Sequence, residues 1–157
     1  MKLDNNKPCI LVSACLLGSP TRYDGKSSKD NLALQLIEFF NVIPICPESD
    51  SGMTTPREPS EIRGNKVFSS KGKDVTSFFV KGAEMALEQA KKYNVKLAVL
   101  KEKSPSCGFK SIYDGSFSGK LIKGKGITTK MLLSNNIQVI PDTSLPEFIK
   151  SLRKKDN

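Results

Sequence analysis

The stretch Val75–Leu100, "VTSFFVKGAEMALEQAKKYNVKLAVL", decides the fold class. Its first part places Phe79, Ala83, Ala86, Leu87 and Ala90 at helical spacing, an unbroken apolar stripe. Asp74 or Thr76 can cap the start of this helix and Asn94 can end it. The chain then enters "KLAVL" (Lys96–Leu100), an apolar run too short for a helix and suited to a buried strand. A long helix feeding directly into a buried strand is one unit of an alternating pattern, and the pattern recurs on both sides of it.

Upstream, "CILVSA" (Cys9–Ala14) is a β-leaning apolar run. "NLALQLIEFF" (Asn31–Phe40) puts Leu32, Leu36, Phe39 and Phe40 on one helical face, behind Ser28 and Asp30 as candidate caps. "VIPI" (Val42–Ile45) is a second strand, and Pro44 argues for an edge position or a strand end. Downstream, "ITTKMLLSNN" (Ile127–Asn136) reads as a helix, "IQVI" (Ile137–Ile140) as a fourth strand and "SLPEFIKSLRKK" (Ser144–Lys155) as the last helix. This alternation predicts an α/β fold: a single-domain, Rossmann-like sandwich with a mostly parallel four-stranded sheet and helices on both faces. Right-handed crossovers then bring the C-terminal ends of the strands to one edge.

Two segments stand outside the alternation. Cys46–Asp74 is irregular, dense in Pro and Gly, and long for a plain connection; long ordered loops are usually functional. Within it, "EIR" and "KVFS" flank Gly64-Asn65 and predict a small hairpin. Lys101–Lys125, rich in Gly, Ser and Tyr, reads as a loop.

The length of 157 residues predicts one domain over 1–157, with a core at about 9–150 and a basic, solvated tail at 151–157. No apolar run approaches the ~18 residues of a membrane span, so no membrane partner is expected. The first residues read as a strand rather than a signal peptide, which implies a cytoplasmic, reducing compartment. Four cysteines there point to metal binding, catalysis or burial rather than disulfides. Histidine is absent. That excludes Ser-His-Asp and Cys-His catalysis and His-ligated metals, and leaves acid-base work to carboxylates, lysine, tyrosine, hydroxyls or water. The formal charge of +9 favours anionic partners; nucleic acid is among them but is not favoured over a small molecule.

Three of the four cysteines occupy equivalent places. Cys15 follows the first strand in "SACLLG", Cys46 the second in "ICPE", and Cys107 the third in "KSPSCG". Open parallel sheets bind ligands in the crevice at the strand C-termini, so three strands deliver three thiols to one crevice. Cys9 opens the first strand at the opposite end and is assigned a structural role. Three thiolates suit a soft metal centre with one free position, either zinc or a four-iron cluster. The spacing matches neither a zinc ribbon nor a ferredoxin run and does not choose between them.

Other groups join the same edge. Glu48, two residues past Cys46, is the acid-base candidate. Lys101, Ser104 and Ser106 surround Cys107 and can donate hydrogen bonds to sulfur or substrate, and Arg57 in "TPREP" can neutralise anionic charge. "RYDG" (Arg22–Gly25) and "IYDG" (Ile112–Gly115) each follow a candidate ligand, though Asp-Gly is also a turn signal. "GSFSGKL" falls one residue short of a phosphate-binding loop and has Leu121 where Ser or Thr belongs. "GKGITT" is read as turning the chain rather than binding an anion.

The motifs "SACLLG", "RYDG", "CPE", "TPR", "SPSCG", "IYDGSFSG" and "GITT", spread from about Cys9 to Pro141, resemble the thiouracil desulfidase family of small bacterial proteins, formerly a YbbK-like domain of unknown function. The resemblance implies a [4Fe-4S] cluster held by Cys15, Cys46 and Cys107. It implies non-redox removal of sulfur from a thiolated base such as 2-thiouracil, giving uracil and sulfide. On this reading Glu48 moves protons and Ser104 or Lys101 positions the base. The sequence departs from the family at "SDSGM", where a second glycine is expected, so Met53 is expected to reshape the pocket. The residues alone leave three other readings: a three-cysteine zinc hydrolase, a metal-binding or redox-sensing module without catalysis, and a tRNA-sulfur enzyme.

Overall fold

The computed structural model describes residues 2–155. Strand β1 (Cys9–Ser13) runs into a 3₁₀ turn, Ala14–Leu17. Helix α1 (Asn31–Gln35) and a second 3₁₀ turn, Leu36–Glu38, lead to β2 (Asn41–Ile45) and the one-turn α2 (Pro47–Asp50). The hairpin β3 (Ser60–Arg63) and β4 (Lys66–Ser69) precedes α3 (Thr76–Lys92) and β5 (Leu97–Leu100). A second hairpin, β6 (Ser111–Tyr113) and β7 (Leu121–Lys123), is followed by α4 (Ile127–Ser134), β8 (Gln138–Pro141) and α5 (Leu145–Lys155).

The predicted sheet is present. Four strands lie in the order β2-β1-β5-β8, and every neighbouring pair is parallel. Pro44 lies on the edge strand, paired to Val12 on one side only, where its missing N–H costs the ladder nothing. Ile10, Leu11 and Val12 of β1 and Ala98, Val99 and Leu100 of β5 are fully buried, because both faces of these central strands are covered. Leu11, Ala98, Leu100 and Val139 pack with Ala86 and Ala90 of α3 and Leu132 of α4. Ile10, Val12 and Val99 face the other way, against Ala33 of α1 and Leu145 and Ile149 of α5.

The alanine-rich face of α3 lets other elements come close. A Cβ on Gly82 would overlap the backbone carbonyl of Pro47, so α2 lies directly on α3. Glycine inside a helix costs about 1 kcal/mol relative to alanine, and here it allows the turn carrying Cys46 to sit down on the helix. Farther along the chain's own edge, Phe79 packs with Ile62, Val67, Val75 and Ile112, which seats both hairpins beside the start of α3.

Two expectations are corrected. The helix expected over Asn31–Phe40 is α-helical only to Gln35. It tightens into a 3₁₀ turn, with the amides of Phe39 and Phe40 both donating to the Leu36 carbonyl, because the chain must re-enter the sheet at Asn41. The segment read as a loop after Lys101 contains the antiparallel β6–β7 pair. The last helix, expected over Ser144–Lys155, runs from Leu145 to Lys155; its basic end is mostly exposed, and there Arg153 reaches Glu38 at 3.1 Å and Gln35 at 2.8 Å. Asp156 and Asn157 lie outside the described residues. Among the described residues no helix is long and apolar enough to cross a membrane.

Candidate active site

Each strand C-terminus ends in a turn that displays a cysteine. Beyond β1, Cys15 sits in the 3₁₀ turn, and its carbonyl accepts from the Ser28 amide at 2.9 Å. Beyond β2, Cys46 begins the α2 turn; its amide donates to the Asp50 carboxylate at 3.0 Å, and its thiol lies 3.8 Å from the Thr21 carbonyl. Beyond β5, the "SPSCG" turn closes on itself. The Ser104 hydroxyl accepts from the Cys107 amide at 2.7 Å and from the Ser106 amide at 3.1 Å.

The third turn is held from two further sides. The first amides of α4 donate to it: Ile127 to the Pro105 carbonyl at 2.9 Å and Thr128 to the Ser106 carbonyl at 2.9 Å. A Cβ on Gly126 would overlap the Ser106 backbone, so glycine is needed for this approach. The reading of "GKGITT" as a chain-turning element therefore holds, since its free N–H groups are occupied by loop carbonyls. From the other side, the buried Glu102 carboxylate accepts from the amides of Lys103, Phe109, Lys110 and Ser111. Burial would raise the Glu102 carboxyl, but these backbone donors outweigh it and hold it below the ordinary glutamate value. The amide of Glu102 donates in turn to Asp142, which also pairs with Lys101 at 3.4 Å.

The three turns open on one cavity of about 660 Å³. Cys15, Cys46, Cys107, Glu48, Arg57, Lys101 and Ser104 all line it, whereas Ser106, also singled out from the sequence, does not: its buried hydroxyl pairs with that of Thr128 at 2.9 Å. Cys9, at the other end of β1, does not line it. The thiols are electrostatically close. Burial and then the neighbouring Cys46 push the Cys15 thiol up to about 11, against the lowering pull of Lys101. Burial pushes Cys107 up to about 12; the Ser106 hydroxyl opposes this, and negative charge on Cys15 and Glu48 adds to it.

Glu48 is buried in the cavity wall beside Arg57, with Nε to Oε1 at 3.3 Å; the side chains are 17 % and 6 % exposed. Burial raises the Glu48 carboxyl, and the guanidinium only partly offsets it. Arg57 is fixed by donating to the carbonyls of Thr21 at 2.9 Å and Thr54 at 3.2 Å. The result is a carboxyl with a raised affinity for its proton, held beside an immobile cation at the cavity wall.

Several sequence-level candidates find other uses. Met53 packs with Ile62, Val67 and Phe79 and does not line the cavity, so the expected reshaping of the pocket does not occur through its side chain. The two Asp-Gly pairs are turns: Asp24 accepts from the Lys26 amide and Asp114 from the Ser116 amide, while Tyr23 and Tyr113 beside them line the cavity. Sequence reasoning missed Glu102, Asp142 and Glu61, whose partners are mostly backbone amides assembled by the fold. It also missed Ser13, a buried residue two before Cys15 whose hydroxyl accepts from the Lys101 amide at 2.9 Å. The buried hydroxyl of Thr21 has no hydrogen-bond partner among the described residues.

The donor set fits a soft metal group such as an iron-sulfur cluster: it offers three free thiols and no imidazole.

Comparison with known proteins agrees with this geometry. The family model for 2-thiouracil desulfurase matches residues 10–144. The uncharacterized protein YbbK of Bacillus subtilis (strain 168) is 38% identical over 150 residues, covering 89% of this chain and 99% of its own. The solved structure of the [4Fe-4S]-dependent thiouracil desulfidase TudS is 43% identical, with a TM-score of 0.87 over 94% of this chain and 99% of that one. With this fold and three thiols gathered at one sheet edge, the chain belongs to the 2-thiouracil desulfurase family.

Proposed function

We propose that this protein is a [4Fe-4S]-dependent desulfidase that converts a thiolated pyrimidine such as 2-thiouracil to uracil and sulfide. Cys15, Cys46 and Cys107 hold the cluster. The observation that carries this reading is the delivery of three thiols and the Glu48–Arg57 pair to one cavity from separate turns. When bound, the cluster supplies a thiophilic Lewis-acidic iron with no protein ligand.

The remaining work falls to side chains. The reaction exchanges a C=S bond for a C=O bond at the expense of one water, so no electrons enter or leave. Glu48 accepts a proton from the attacking water and returns it to the departing sulfur or the ring nitrogen. Arg57 keeps its carboxylate aimed while the proton is away. Ser104 uses its oxygen to hold the Cys107 turn, which leaves its hydroxyl hydrogen free to donate to the ring. Lys101, anchored by Asp142, brings positive charge to the end of the cavity nearest Cys15. The partner is a small thiolated base, and a thiol-rich site is suited to a reducing cytoplasm.

Protein purified without air is expected to be brown, to contain about four irons per chain, and to release sulfide from 2-thiouracil with no added reductant. Colourless, active protein containing only zinc would overturn the cluster. Strict dependence on an electron donor would overturn the non-redox chemistry.

A further inference from the structure

We infer that Phe117 is the platform on which the substrate ring stacks, so that the site selects planar heteroaromatic thiocarbonyls over acyclic ones. The inference rests on the desulfidase reading above and names how that site recognises its substrate. Phe117 stands in "GSFSGKL", the stretch that only resembles a phosphate loop. It belongs to the turn between β6 and β7 and lines the same cavity as the three cysteines.

Its placement is enforced. Phe117 has φ 57°, a left-handed backbone that a bulky residue adopts only when its surroundings demand it. The surroundings are specific. The buried Glu61 carboxylate accepts from the amides of Gly115 at 2.9 Å and Phe117 at 3.1 Å. Arg63 donates to the Gly115 carbonyl at 2.7 Å. The Arg63 guanidinium also lies over two rings, 5.6 Å from the Phe68 centroid and 6.0 Å from that of Phe117. A buried acid and a stacked cation, both from β3, thus fix an aromatic side chain at the wall of the cavity.

The chemistry on the other walls explains why a flat apolar face is useful. Glu48, Arg57, Lys101 and Ser104 supply the charged and hydrogen-bonding groups that the polar edge of a heterocycle needs. Phenylalanine has no hydrogen-bonding group, so it contributes through its π-face alone. Such stacking tolerates different substituents on the ring edge and requires the ring to be planar.

The test uses anaerobically purified holoprotein, with uracil as a ligand that undergoes no turnover. Phe117→Ala is expected to weaken uracil binding about five- to hundredfold in calorimetry. The KM for 2-thiouracil should rise in parallel with kcat changed less than about twofold. Iron content and unfolding midpoint should match wild type. Phe117→Leu keeps apolar bulk without a π-face and should bind like the alanine variant, whereas Phe117→Tyr should restore affinity. Unchanged uracil binding by Phe117→Ala, or wild-type affinity in Phe117→Leu, overturns the assignment. If wild type still releases sulfide in that case, the desulfidase reading stands; if wild type releases none, both fall.

Discussion

Substituting Glu102 tests whether the Cys107 turn is built from behind, at a residue that does not line up with any sequence motif. The carboxylate receives four backbone N–H groups, and the two nearest are Phe109 at 2.7 Å and Lys110 at 3.0 Å. Hydrogen bonds to a charged group contribute about 1.5–3 kcal/mol each. Counting only those two, and allowing water to reach part of the vacated space, Glu102→Ala should cost about 3–5 kcal/mol. Charged hydrogen bonds are roughly twice as strong as neutral ones. Glu102→Gln keeps one acceptor oxygen, so its cost should be about half. At ~2–4 °C per kcal/mol for a chain of this size, the alanine variant should melt about 10 °C lower.

The pH dependence has a fixed sign. The Glu102 carboxyl lies below its ordinary value in the folded protein, so its contribution is complete above about 4.3 and is lost as pH falls through the folded value. Glu102→Gln has no such titration. The stability gap between wild type and Glu102→Gln should be full at pH 7 and shrink in acid. Denaturant unfolding at several pH values measures this, and hydrogen exchange should show faster exchange at the Phe109 and Lys110 amides. A Glu102→Ala protein within about 0.5 kcal/mol of wild type at pH 7 would refute the clamp, as would a gap that does not close in acid.

Alanine at Cys15, Cys46 or Cys107 should abolish iron binding, measured by iron content and visible absorption, while Cys9→Ala should retain it; a Cys9→Ala protein without iron would remove the ligand assignment. Glu48→Gln should keep its iron and lose about 10²–10⁴-fold in kcat, and full turnover with intact iron would exclude Glu48 from proton transfer.

The parts of this molecule that were legible in the sequence are those encoded by local pattern. Buried parallel strands are continuous apolar runs, so "CILVS" and "LAVL" announced themselves, and the thiol behind each strand followed from topology. Gly64-Asn65 marked the β3–β4 hairpin through its turn residues. The β6–β7 hairpin was not legible as a hairpin, because Asp114-Gly115 signals only a turn, while β6 and β7 are three residues each and β7 is exposed throughout with no alternation. Glu61, Glu102 and Asp142 were illegible for a different reason. A carboxylate that binds backbone amides leaves no trace in its partners' side chains, and its own neighbours look like ordinary surface sequence. Arg57 could be suspected of meeting a negative charge, but only the fold shows that Glu48 is that charge.

The grip of α4 on the "SPSCG" turn also imposes an order in time. β1, which leads into the turn with Cys15, is the first strand synthesised, yet its central neighbour β5 begins at Leu97. The turn that carries Cys107 is secured only when Thr128 and Thr129 are available to bond Ser106 and Cys107. Of the three thiols, the one beyond β5 is thus the last whose backbone can be completed, and a chain that ends before Thr129 has no finished third turn, however well β1 and β2 have paired.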